Sequence, residues 1–191
     1  MPPLEITEVF YPVDRPAWRA WLQQHHQREE PIWLQRFRKE TGKPSISYDD
    51  LVEECLCFGW IDGTSKRYDD DSYVQRITPR RKKSFLSELN RQRIWKLQAQ
   101  QLIVPGALAM IADQVGHPDD PWEIPAWIQE ALAAAGVWQA FCAYSVYYQR
   151  LKVFWITEAR GHSRAPERQK RLAYLIKMTQ AGKQYGTQPL A

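Results

Sequence analysis

Cysteine is scarce: there are three in 191 residues, and Cys55 and Cys57 stand only two apart. An odd count with near-adjacent members makes a poor disulfide framework, and the spacing is not that of a redox Cys-x-x-Cys. The pattern fits buried thiols in a reducing compartment, the cytoplasm. Histidine is nearly as rare. None of His25, His26, His117 and His162 stands at ligand spacing from another histidine or a cysteine, so no metal or other cofactor is expected. Long apolar runs are missing too. The most hydrophobic window, roughly residues 137–148, is broken by Gln139 and Ser145 and is too short to span a bilayer. The start, Met1-Pro2-Pro3-Leu4-Glu5-Ile6, lacks the basic and apolar regions of a signal peptide. A phosphate-binding P-loop, a dinucleotide glycine fingerprint and a nucleophile elbow are all absent, which sets aside the commonest nucleotide and hydrolase chemistries.

What is present is a chain with 44% apolar residues and nine tryptophans. That is enough for a real core, with Trp as core or pocket wall. The net charge of +4 hides an asymmetry. Residues 76–96 carry eight basic side chains against Glu88 alone, and residues 150–183 carry nine against Glu158 and Glu167. Charge gathered this way produces a local potential well above the net value. It is also what two solvated helical faces would show.

Periodicity organises the chain. Residues 4–11 and 31–38 alternate as strands, and a helix between them starts at the Asp14 cap with Trp18, Trp21, Leu22 and His25 at helical spacing. Ser47-x-x-Asp50 resembles a capping box before a short helix that Gly59 can stop. Residues 60–67 and 73–78 flank the acidic run Tyr68–Ser72 as a hairpin that Pro79 ends. Ser84 or Ser87 caps the next helix, to about residue 101, and Pro105-Gly106 opens another, to about 114. The turn-formers of residues 116–121 read as a linker, with helices beyond it near 125–135, 137–144, 146–160 and 166–181. The expected fold class is α+β: a small antiparallel sheet of about four strands backed by helices, over residues 1–115, and a helical C-terminal unit over residues 122–185.

The chemistry concentrates in three dense motifs: Cys57-Phe58-Gly59-Trp60-Ile61-Asp62-Gly63, then Arg76-Ile77-Thr78-Pro79-Arg80-Arg81, then Ser84-Phe85-Leu86-Ser87-Glu88-Leu89-Asn90-Arg91. Three roles stay open for Asp62. It can accept backbone N–H groups in a turn, pair with Arg76 or Arg80 across the hairpin, or serve as a general base whose pKa is raised by burial. Arg80, Arg81 and Ser84 stand before a helix start, where free N–H groups, hydroxyls and guanidinium forks suit an anion. Arg80 can equally be a structural arginine held by Asp62. Ser87 reads as a cap. Asn90 is locally unfavourable inside a helix, which suggests a polar contact, and Arg91 reads as helix surface. Trp60, Asp62, Arg76, Arg80, Arg81, Ser84, Ser87, Asn90 and Arg91 are the candidate ligand-binding residues.

These motifs resemble the YdeI/OmpD-associated, or bacteriocin-protection, family. The resemblance runs from Tyr48 to Gly63, through the Thr-Pro-Arg-Arg element and its Ser-x-x-Ser-x-x-Asn-Arg continuation, to Pro105-Gly106. It resumes at Tyr144-Ser145, Trp155-Ile156 and Glu158-Ala159-Arg160, and departs at residues 161–166, where the family carries a compact Lys-x-x-Glu-Thr-Arg-like run. The resemblance covers most of the chain. It implies envelope-stress or bacteriocin tolerance and no established reaction. Taken together, the expectation is an anionic partner, either a small molecule or a nucleic acid, bound through basic segments. The alternatives are a small enzyme using Asp62 and Arg80 in a Trp-lined pocket, and a protein-interaction module.

Overall fold

A computed structural model describes residues 5–82, 84–158 and 164–186. The chain divides into two compact units, Met1–His117 and Pro118–Ala191.

In the first unit, β1 (Val9–Phe10) leads into α1 (Arg15–His25), whose start is fixed by Asp14 accepting from the Ala17 backbone N–H, with proline in the first turn. β2 (Ile32–Phe37) follows. A single 3-10 turn, Lys39–Thr41, then precedes α2 (Tyr48–Cys57), which Ser47 caps by accepting from Asp50 N–H. β3 (Trp60–Arg67) and β4 (Ser72–Pro79) form the expected hairpin. Behind them lie α3 (Glu88–Ala99) and the short α4 (Pro105–Ala109) and α5 (Ala112–Val115). The single helix expected over residues 105–114 is thus two pieces. Of the two cap candidates it is Ser87 that caps α3, accepting from Asn90 N–H.

The sheet order is β1-β2-β4-β3. β2, β4 and β3 pair antiparallel as expected, but β1 pairs parallel to β2 through Val9↔Trp33 and Phe10↔Leu34, so the sheet is mixed. The physical reason lies in the connection. β1 and β2 are joined by a helical crossover, which returns the chain in the same direction, whereas a tight turn reverses it. β1 itself is two residues long, shorter than the expected strand.

The pleat decides what each side chain meets. Ile32, Leu34, Trp60 and Ile77 pack with Trp18 and Leu22 of α1 and Leu51 and Leu56 of α2 in one apolar core. Trp60 is 0% exposed, and its indole N–H donates to the His26 carbonyl at 2.9 Å. Gly59, at φ +73°, turns the chain from α2 into β3. A Cβ there would stand 3.1 Å from the Met110 methyl carbon and 3.3 Å from the Ala107 Cβ, so both backbone and packing demand glycine.

The second unit is helical: α6 (Ala126–Ala134), α7 (Trp138–Cys142), α8 (Val146–Thr157) and α9 (Arg164–Gln180). Its core joins Ile128, Leu132, Phe141, Tyr148, Ile156 and Leu175. α9 begins two residues before the expected 166 and carries Pro166 in its first turn, where the missing N–H has no intrahelical partner to lose. Ala159, Arg160 and residues 161–163, half of the departure segment, lie outside the described residues, as does Lys83. No helix among the described residues is long and apolar enough to cross a membrane.

Candidate functional site

The hairpin register sorts the candidate residues onto two faces of the sheet. Asp62 pairs with Ile77, so it shares the helix-covered face with that core residue. Arg76 pairs with Trp33, one residue out of phase, and lies on the opposite face. The expected Asp62–Arg76 pairing is therefore closed off by the pleat.

Arg76 and Thr78 of β4, with Arg80, Arg81 and Ser84 beyond its end, line an open cleft of about 530 Å³, with Ile61 and Pro79 as apolar wall. Glu29 is the acid in this lining. Arg76 and Arg81 make no side-chain hydrogen bond or ion pair among the described residues. Ser84 shapes the rim, its hydroxyl accepting from Arg81 N–H at 3.1 Å.

Arg80 anchors this cleft. Its backbone N–H donates to the Gly59 carbonyl at 2.8 Å, which extends the hairpin pairing past Pro79. Its side chain is only 5% exposed. Nη1 donates to the Phe85 carbonyl at 3.3 Å, and the buried Nη2 has no partner among the described residues. Burial pushes the guanidinium pKa down, and the nearby Asp62 carboxylate partly offsets this. The two groups sense each other, yet no ion pair within 4.0 Å joins them among the described residues.

Asp62 has another partner. Its carboxylate accepts from the Tyr48 hydroxyl at 2.7 Å. Burial first, then the bond and charge of Asp62, push the Tyr48 phenol up to about 12. Beside this pair, Arg36 lies 5.6 Å from the Tyr48 ring centre and 5.2 Å from that of Tyr73, and its Nε donates to the Ile46 carbonyl at 3.2 Å.

The remaining candidates make contacts within the fold. Trp60 walls no pocket: it is sealed in the core, a correction that follows from its place one residue after Gly59 on the inward phase of β3. Ser87 caps α3. Asn90 accepts from Arg93 Nη1 at 3.1 Å, a contact within its own helix. Arg91 pairs with Glu88 and donates to the Gln114 carbonyl at 3.1 Å. Cys55 and Cys57 are buried thiols: Cys55 is pushed well up by burial and Cys57 to about 11 by the same cause.

Sequence reasoning missed Arg36, Tyr48 and Tyr73. The available signal was parity. Arg36 keeps phase with Ile32 and Leu34, and Tyr73 with Ile77, so both belong to the face that also carries Asp62.

The architecture is thus that of an α+β protein carrying a helical C-terminal unit. Residues 10–110 match the family model described as a domain of unknown function (DUF8412), and with more than half of its length matched the chain belongs to that family. Residues 121–182 match the model of the bacteriocin-protection, YdeI or OmpD-associated family. The resemblance noted from the sequence therefore holds over the C-terminal stretch, while its motifs between Tyr48 and Gly106 fall in the stretch covered by the first model. No curated protein and no solved structure matches the chain.

Proposed function

We propose that the α+β unit binds a small anion, carrying phosphate or carboxylate, in the cleft lined by Arg76, Arg80 and Arg81, and that it does so in the cytoplasm as part of bacteriocin or stress tolerance. The observation that carries the reading is Arg80: a guanidinium nearly closed off from solvent, lining the cleft, with a donor that has no partner among the described residues. A buried donor without a partner costs about 1–3 kcal/mol. A ligand oxygen that reaches it recovers that cost and gains a charge-assisted bond. Thr78 and Ser84 add hydroxyls to the same lining. The C-terminal match to the bacteriocin-protection model supports the tolerance part of the reading.

The enzyme reading is weaker. Asp62 is engaged by Tyr48 and lies on the other face from Arg76 and Thr78, and it is not among the residues that line the arginine cleft.

Titration calorimetry with inorganic phosphate and pyrophosphate tests the proposal. Arg81→Ala and Arg76→Ala, both at the accessible rim, should weaken binding by about ten-fold each, the scale of one lost charge-assisted bond. Arg80→Lys keeps the charge without the fork and should weaken it as well. Wild-type protein that binds neither anion at low salt, or rim variants that bind like wild type, would remove the cleft reading.

A further inference from the structure

On the helix-covered face, at the end of the sheet away from Trp60, lies a second concavity of about 760 Å³. Its walls combine two chemistries. Arg36, Arg38, Lys39 and Lys43 supply positive charge, against Glu40 and Asp49. Asp49 is itself paired with Arg93. Tyr48, Tyr73 and Phe37 supply aromatic surface.

The aromatic part is held in place. The Tyr48 hydroxyl is tied to Asp62 at 2.7 Å, which fixes the ring, yet the residue is 44% exposed. Arg36 fills the space between the Tyr48 and Tyr73 rings, so a planar ligand has the outer face of Tyr48 to lie on. The phenol pKa of about 12 keeps Tyr48 neutral. The basic part is arranged by the 3-10 turn. Gly42, at φ +66°, closes it onto the Lys39 carbonyl, so Lys39 and Lys43 flank one bend. Lys43 rests over the Phe37 ring at 4.6 Å and pairs with the exposed Asp71 at 2.9 Å, a contact that an incoming anion can displace.

We propose that this groove binds a nucleotide moiety, with the base stacked on Tyr48 and the phosphate held by Arg38, Lys39 and Lys43. A flat exposed ring beside basic side chains, of which only Lys43 is held in an exposed ion pair among the described residues, is the arrangement that accepts any base by its π-face and its phosphate by charge. The concavity falls within the size range of small-ligand sites. No glycine-rich phosphate loop is required, because long side chains take the place of backbone N–H donors. The groove is independent of the arginine cleft, and either reading stands if the other fails.

The same chemistry is presented by a free mononucleotide and by a single-stranded nucleic acid, and two probes separate them. Adenosine 5′-monophosphate is titrated by calorimetry, and a labelled single-stranded oligodeoxyadenylate by fluorescence anisotropy, both at low salt. At least one should bind. Tyr48→Ala should weaken that binding by about ten-fold, the effect of losing one base–aromatic stack, while Tyr48→Phe keeps the ring and should stay within about two-fold. Joint replacement of Lys39 and Lys43 by Ala should flatten the salt dependence by roughly two counter-ions' worth of slope. Arg81→Ala can take away only what the probes' phosphate finds in the other cleft, so the Tyr48→Ala loss should persist in the Arg81→Ala background. Tighter binding of the oligomer assigns a strand, and binding of the monophosphate alone assigns a free nucleotide. If neither probe binds, if Tyr48→Ala binds like wild type, or if Arg81→Ala and not Tyr48→Ala abolishes binding, the proposal is overturned. Tyr48 is exposed and the lysines are on the surface, so these variants leave the core intact.

Discussion

Glu54 of the α+β unit and Lys152 of the helical unit are buried in opposite ways. In the α+β unit Glu54 is 1% exposed and accepts from Arg15 at 2.6 Å and from Arg19 at 2.8 Å, while Arg15 also reaches Glu53 and Asp50. The helical unit buries Lys152, 6% exposed, with no carboxylate partner among the described residues. Its ammonium lies 3.8 Å from the Tyr185 ring centre and 4.9 Å from that of Tyr148. Desolvation brings its pKa down to about 8. A network neutralises Glu54, whereas aromatic faces shelter Lys152 and leave it easier to deprotonate. Pairing makes a charge necessary to its neighbours, whereas an unpaired cation is a cost that its own removal relieves.

That contrast sets the largest expected effect. Glu54→Ala leaves Arg15 and Arg19 without their central partner and should destabilise the protein by about 3 kcal/mol, at the lower end for a broken buried pair because both arginines keep some solvent contact. Denaturant unfolding measures it, and a loss under about 1 kcal/mol would place the network among weak surface pairs.

Lys152→Met should act in the other direction. Removing the unpaired cation while keeping a flexible apolar side chain of similar length should leave stability unchanged or raise it by about 1 kcal/mol. A clear destabilisation in the same unfolding assay would mean that the aromatic contact outweighs desolvation, and the contrast between the units would collapse.

The pH dependence sharpens the same point. Lys152 is deprotonated in the folded unit above about 8 but stays protonated in the unfolded chain until near its ordinary value. The unfolded chain then binds more protons, so stability should rise with pH from about 8 upward. The groups facing it oppose this at the alkaline end. Tyr148 and Tyr185 are both pushed up by burial, so above the ordinary tyrosine range the folded state holds more protons and stability should fall, and the buried Cys55 and Cys57 thiols of the other unit act the same way from the ordinary thiol range upward. Thermal melts across this range should show a shallow maximum, and Lys152→Met should erase its rising limb. A rising limb that persists in the variant would assign it to another group.

The smallest effects are the matched helix caps. Ser47 accepts from Asp50 N–H in the first unit, and Ser145 from Tyr148 N–H in the second. Each serine-to-alanine change should cost about 1 kcal/mol. A loss several-fold larger at Ser145 would show that the cap also holds the Tyr148 ring beside Lys152.

Much of the fold was legible because its signals are local. The Asp14, Ser47 and Ser87 caps, the acidic turn of the hairpin and the stop at Gly59 each depend on a few neighbouring residues. The parallel pairing of β1 was missed because pairing direction depends on a crossover, not on strand composition. Trp60 and Arg80 carried equal weight in the motif reading. One is a sealed core residue and the other lines a cleft, because the hairpin twist and the turn after Pro79 send them to different places.

The sequence by itself determined the element types, the α+β class and the concentration of arginines after the hairpin, since periodicity, caps and charge runs are written within a few residues of where they act. Only the tertiary structure decided which of those side chains share a space. Strand register with period two put Asp62 and Arg76 on opposite faces, and pairing across distant elements brought Tyr48 to Asp62 and Arg15 to Glu54. Such juxtapositions depend on long-range packing, and no short window of sequence contains them.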